Sequence, residues 1–142
     1  MKVLDNVLKQ PSKKVLFLCV ENSCRSQIAE AFAKSLLSDL CDSYSSGSKP
    51  SGVVNPKAIE SMQRAGYDLN THSSKEVSSL PTKSFDLAIT MGCGDYCPDI
   101  EASEYLDWEI PDPKHLGEAD FDKIRDQIKF KVENLKSRLS VI

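Results

Sequence analysis

The polarity pattern changes period several times along the chain, and each change marks an element. Val15-Leu16-Phe17-Leu18 is an unbroken apolar run, the pattern of a strand covered on both faces. Further on, Ile28, Ala31, Phe32, Ser35 and Leu36 recur at steps of three and four, which predicts an amphipathic helix opened by Ser26. Cys41 to Gly47 reads as a weak strand closed by a turn, followed by loop at Ser48-Lys49-Pro50-Ser51-Gly52. Asn55-Pro56 starts a second helix, because Asn caps free N–H groups and Pro suits the first helical position. Its stripe is Ala58, Ile59, Met62 and Ala65, and Gly66 supplies the stop. Ser73 or Ser74 caps a short helix reaching Leu80. Phe85 to Met91 is a third strand, Tyr105 to Ile110 a short fourth, and Phe121, Ile124, Ile128, Val132, Leu135 and Leu139 mark a long C-terminal helix from Glu118.

Strands alternating with helices predict an α/β fold with a parallel sheet. Four strands in one domain, with helices on both faces, account for residues 14–142. Residues 1–13, with Val3, Leu4, Val7 and Leu8, form an N-terminal extension, either a brief surface helix or a frayed end. The chain has 142 residues, enough for a genuine core, and 40% hydrophobic and 27% charged content is ordinary for a soluble globular protein. A net charge of −3 argues against nucleic acid or an anionic membrane as partner. No run approaches a membrane span and the N-terminus lacks a secretory h-region, so a cytoplasmic location is expected.

Five cysteines (Cys19, Cys24, Cys41, Cys93 and Cys97) are an odd count in a chain without a secretory signal, which favours reactive thiols over a disulfide framework. The spacings of Cys19/Cys24 and Cys93/Cys97 also allow a four-thiolate zinc site. The residues after Cys19 favour anion chemistry instead, and no metal is expected. Cys19-Val20-Glu21-Asn22-Ser23-Cys24-Arg25-Ser26 runs from the first strand into the first helix. Such a loop aims successive N–H groups at one spot, where the helix N-terminus adds positive charge. Cys19 in that field is expected to be a thiolate nucleophile, since helix N-termini and Arg favour the ionised thiol. Arg25 can close on a tetrahedral oxyanion with a bidentate fork. Val20, Glu21, Asn22, Ser23, Cys24, Arg25 and Ser26 are the expected substrate-binding residues.

The segment CVENSCRSQIAEAF resembles the nucleophile loop, or P-loop, of the low-molecular-weight protein tyrosine phosphatase superfamily, and especially its arsenate reductase branch. The phosphatases have Arg-Ser-Pro where this chain has Arg25-Ser26-Gln27; the reductases have Arg-Ser-Gln. The likeness runs from about Lys14 to Leu139 and implies a flavodoxin-like strand order. It implies that Ser45-Ser46-Gly47 ends beside the loop and braces it, and that Asp112, between Pro111 and Pro113, is the general acid. Asp107 and Glu109 are the competing carboxylates.

The function implied is reduction of arsenate to arsenite for arsenic detoxification. Cys93 would attack the Cys19 adduct, and Cys97 would move the disulfide to Cys93–Cys97. No tightly bound cofactor is implied, only an external thiol or dithiol reductant, with a monovalent cation near Asn22 allowed. The short Cys-Gly-Asp-x-Cys-Pro segment leaves two classes of reductase partner open: thioredoxin, or low-molecular-weight thiols with a glutaredoxin-type protein. Phosphate and sulfate would compete with arsenate. The alternative function is hydrolysis of phosphotyrosine through a Cys19 phosphoenzyme; Gln27, the paired thiols and Lys114-His115 after Asp112-Pro113 count against it. A third reading is a non-enzymatic thiol switch, disfavoured by Arg25 and Asp112.

Overall fold

The computed structural model describes residues 13–91 and 100–140. In chain order the elements are β1 (Lys13–Leu18), α1 (Arg25–Leu36), β2 (Cys41–Ser46), α2 (Pro56–Arg64), a 3-10 turn (Val77–Ser79), β3 (Ser84–Thr90), β4 (Glu101–Asp107) and α3 (Glu118–Leu139). The strands form one parallel sheet in the order β2-β1-β3-β4. That is the expected flavodoxin-like order. Its reversal of direction falls between β1 and β3, where the carboxyl ends of the strands leave a crevice.

Alternation along β1 divides two cores. Val15 and Phe17 face the larger cluster, with Ile28 and Phe32 of α1 and Phe121, Ile128, Val132 and Leu135 of α3. Leu16 and Leu18 face a smaller one with Val77, Leu80, Phe85, Ala88 and Ile100. All three α-helices pack on the first face; on the second, the helical element among the described residues is the 3-10 turn. Helix α2 starts as expected, with Asn55 accepting from Lys57 N at 2.9 Å and Pro56 at the first position, and it stops before Gly66 at φ 90°. Helix α3 begins at Glu118 and carries the expected apolar stripe.

Two expectations shift. The fourth strand lies at 101–107 rather than 105–110, and Trp108 and Ile110 are buried beyond its end. Their alternation with Asp107 and Glu109 mimics a strand, but Trp108 turns inward onto Phe17 at 5.8 Å between ring centroids. In α1, Ser35 is exposed, whereas Glu30 is buried. Glu30 is held there by the Ser45 hydroxyl, by Lys34 at 2.6 Å and by Lys75 at 3.7 Å. Burial alone would raise its carboxyl pKa; these partners together bring it below the ordinary value.

Candidate active site

The loop from Cys19 to Cys24 crosses the carboxyl edge of the sheet between β1 and α1, and the carbonyl groups of residues 20–23 are taken up by donors that do not line its concave side. Val20 O accepts from Lys49 N (2.9 Å), Glu21 O from Ser51 N (3.0 Å) and Ser74 Oγ (2.8 Å), and Ser23 O from Asn55 N (2.9 Å). Asn22 O accepts from Gln27 Nε2 at 3.0 Å. In a trans peptide the N–H points opposite to the preceding C=O. The amides of Glu21, Ser23 and Cys24, all residues that line the pocket, therefore face the concave side, above the N-terminus of α1. Asn22 adopts the left-handed conformation, φ 51°, which curls the loop and which Asn tolerates better than most side chains. Close packing of β2's end fixes the curl: Cys19 N donates to Ser46 O at 3.3 Å. A Cβ on Gly47 would lie 2.8 Å from Cys19 O and closer still to Val20 O, so only glycine fits there.

The Cys19 sulfur sits 2.8 Å from Ser26 Oγ and is buried. The direction of that bond follows from its neighbours. Lys75 N donates to Asn22 Oδ1 at 2.9 Å, which fixes the Asn22 amide and turns its nitrogen toward Ser26 Oγ, 2.8 Å away. Ser26 Oγ accepts from Asn22, so its own hydrogen is free to point at the sulfur. The hydroxyl thus holds the sulfur in a fixed place at the pocket floor. Gln27, fully buried, locks the arrangement: Nε2 reaches Asn22 O, Asn22 Oδ1 (2.9 Å) and Ser73 O (2.8 Å). Its Oε1 accepts from His72 Nδ1 at 3.0 Å, and burial lowers the His72 pKa, keeping the ring neutral. His72 thus buttresses Gln27.

Arg25 closes the other side. Its Nη1 donates to Met91 O and Ile110 O, both at 2.9 Å, tying the ends of β3 and the segment after β4 to the loop. Its Nη2 lies 3.9 Å from Asp112 Oδ2. Asp112 and Lys114 complete a pocket of about 270 Å³ that is otherwise lined by Cys19, Val20, Glu21, Ser23, Cys24 and Arg25. Asp107 and Glu109 do not line it, and Asp107 instead accepts from Thr90 Oγ1 at 2.7 Å. Burial, the Asp112 carboxylate and Cys19 push the Cys24 thiol up to about 12, so a second thiol inside the pocket stays protonated. Cys41 is buried away from it, and burial raises its pKa too.

The structure thus gathers Cys19, Val20, Glu21, Ser23, Cys24, Arg25 and Asp112 around one pocket, whereas Asn22 and Ser26, expected as substrate-binding residues, are fully buried, do not line it and instead support the loop and the Cys19 sulfur. Cys93 and Cys97 lie outside the described residues, as does most of the extension at 1–13. Gly47 lies against Cys19 and Val20, in the bracing place the family likeness implies, whereas sequence reasoning missed the pinning role of Gln27 and the reach of Lys114 across the pocket. Only Gln27 left a signal, as the residue that departs from Arg-Ser-Pro. Asn22 Oδ1 accepts from Gln27 Nε2 and Lys75 N. Among the described residues no cluster of three or more His, Cys, Asp or Glu could hold a metal, and no helix is long and apolar enough to cross a membrane.

Comparison with known proteins agrees with this geometry. An arsenate reductase of Staphylococcus aureus is 39% identical over 130 residues, covering 89% of this chain and 98% of that protein. A solved arsenate reductase in the phosphate-binding state superposes with a TM-score of 0.80 at 35% identity, over 89% of this chain and 98% of that one. A thioredoxin-dependent arsenate reductase of Corynebacterium glutamicum superposes at 0.72 with 29% identity, covering 98% of this chain and 67% of its own. The family model described as low molecular weight phosphotyrosine protein phosphatase matches residues 14–141, and with that match the chain belongs to this family.

Proposed function

We propose that the protein is an arsenate reductase that forms arsenite through a Cys19–arsenic adduct. The observation that carries this reading is the pocket itself, with a hydroxyl-supported sulfur, three inward amides, a guanidinium and a carboxyl group around one tetrahedral site. Similarity to arsenate reductases supports arsenate as the oxyanion. The Cys19 thiolate attacks arsenic, the loop amides and Arg25 hold the remaining oxygens, and Asp112 protonates the departing oxygen so that it leaves as water. Cys93 then attacks the Cys19 sulfur. The sulfur–arsenic bond breaks, its electron pair reduces arsenic to arsenite, and a Cys19–Cys93 disulfide remains. Cys97 attacks Cys93, freeing Cys19, and an external dithiol or thiol reduces Cys93–Cys97. A thioredoxin suits that last step by similarity to the C. glutamicum enzyme; the short spacing of the pair suits a low-molecular-weight thiol with a glutaredoxin-type partner. Free thiols of this kind belong in a reducing cytoplasm.

Family membership favours a second reading, hydrolysis of a phosphate monoester through a Cys19 phosphoenzyme, since phosphate shares arsenate's geometry. Single-turnover assay of the reduced protein without added thiol separates the two. One arsenite per protein with loss of two thiols supports the internal relay. Arsenite released only on adding glutathione points to the alternative reductant. Fast aryl phosphate hydrolysis without arsenite under either condition would establish the phosphatase. Cys93→Ser should trap the Cys19 adduct while leaving arsenate binding intact.

A further inference from the structure

Among the described residues the pocket has two walls, the Cys19–Arg25 loop and the segment from Ile110 to Gly117, and the side chains of Arg25 and Lys114 bridge them. Arg25 does so at the base. Lys114 does so at the mouth: its Nζ lies 3.1 Å from Glu21 Oε1 and 3.2 Å from Oε2. Both partners are anchored through their backbones. Lys114 N donates to Asp112 Oδ1 at 3.1 Å, and Lys114 O accepts from Lys57 Nζ at 3.2 Å, which also holds Leu116 O at 3.1 Å. Glu21 O is held by Ser51 N and Ser74 Oγ. The pair is therefore part of the pocket's frame, spanning from the residue after the nucleophile's neighbour to the second residue beyond the acid.

We propose that the Lys114–Glu21 pair is a filter at the pocket mouth that selects a free tetrahedral oxyanion over one bearing an organic substituent. In-line attack by Cys19 places three oxygens in the amide cradle and the fourth substituent opposite the sulfur, within reach of Asp112. That position points at the mouth, beside Lys114. A hydroxyl there fits beneath the bridge, and the ammonium faces the anion's charge. An aryl group on the same atom must part Lys114 from Glu21 and leave the carboxylate facing an anion without its counter-charge. The filter rests on the reading of the Cys19 loop as an oxyanion site and gives that site its substrate class: inorganic oxyanions rather than esters.

The test is protection of Cys19 from iodoacetamide, read by mass spectrometry of its peptide, with phosphate and phenylphosphonate as competing ligands. In the native protein phosphate should protect at lower concentration than phenylphosphonate. Lys114→Met and Glu21→Gln should each shift the ratio of the two protecting concentrations toward phenylphosphonate by about three- to fivefold, the range an exposed ion pair supports. Lys114→Arg, which keeps the pair, should leave the ratio near native. Equal protection by both ligands in the native protein, or an unchanged ratio in both disrupting variants, overturns the filter while leaving the oxyanion site standing. Failure of phosphate to protect Cys19 at all overturns the site and the filter with it.

Discussion

Gln27 Nε2 lies 3.0 Å from the Asn22 carbonyl oxygen and 2.9 Å from the Asn22 side-chain oxygen, so one buried amide grips both ends of the residue that curls the loop. It reaches Ser73 O as well, at 2.8 Å. Gln27→Ala leaves these acceptors short of a donor in a dry site, which should cost about 2 kcal/mol of stability. It should also slow alkylation of Cys19, because the Asn22–Ser26 bond that aims a hydroxyl at the sulfur loses its support. Gln27→Pro is sterically allowed in the first turn of α1, where the N–H has no helical partner, yet it should show the same two losses. Thermal melting and timed alkylation at neutral pH measure both. Native behaviour in Gln27→Ala would mean that the loop holds its shape without this amide.

Much of the scaffold was legible because apolar periodicity is imposed by burial. Val15 to Leu18 had to be a two-sided strand, and the stripe from Phe121 to Leu139 had to be a helix. Cys19, Arg25 and Asp112 were legible through chemistry and family likeness. The brace around them was legible only as a place, through the likeness that puts Ser45-Ser46-Gly47 beside the loop, and not in its contacts. Gly47 matters through the absence of a side chain next to Cys19 and Val20, and a sequence shows no distance between residues so far apart. Glu30 reads as a solvated charge until Ser45, Lys34 and Lys75 are brought to it. Trp108 and Ile110 carry a strand's alternation but spend it on loop burial, so the fourth strand was placed too late.

Gly47→Ala tests the brace directly. The added methyl would press on Cys19 O at 2.8 Å and Asn22 N at 3.0 Å, both backbone atoms with no side-chain freedom to yield. Overpacking of this kind costs about 1–3 kcal/mol. The shift falls on the nucleophile's own peptide, so Cys19 alkylation and phosphate protection should drop more than the loss of stability accounts for. A variant that melts early but retains native protection by phosphate would place the strain elsewhere.

Cys24 gives a pH signature. Its pKa is raised from 9.0 to about 12, first by burial and then by Asp112 and Cys19, so the folded protein holds this proton more tightly than the unfolded chain. Its contribution to stability is complete below pH 9 and is lost as pH rises from 9 toward 12, at about 1.4 kcal/mol per pH unit within that window. Cys41 shifts in the same direction through burial, so the native slope contains both. Cys24→Ala should flatten the fall of melting temperature above pH 9, and iodoacetamide should leave Cys24 unmodified at neutral pH. Rapid labelling of Cys24 at pH 7 would contradict its burial.

Asp122 sets the acid limb. Arg64 Nε and Nη2 donate to it at 2.9 and 2.7 Å, and Ser61 Oγ donates at 2.5 Å, clamping α2 to α3 beneath the Lys57 and Lys114 contacts. The Arg64 hydrogen bonds lead in lowering its pKa from 3.8 to about 2, with Ser61 and Arg125 adding to them. A depressed carboxyl stabilises the fold above pH 3.8 and loses that contribution as pH falls toward 2. The site is partly exposed and solvent screens it, so about 1 kcal/mol is the expected size. Asp122→Asn should lower the melting temperature at pH 7 and reduce the difference between pH 5 and pH 2.5 relative to native. Asp122 does not line the Cys19 pocket, so alkylation of that sulfur should keep its native rate; a slowed rate would show that the α2–α3 clamp reaches the loop through Asn55.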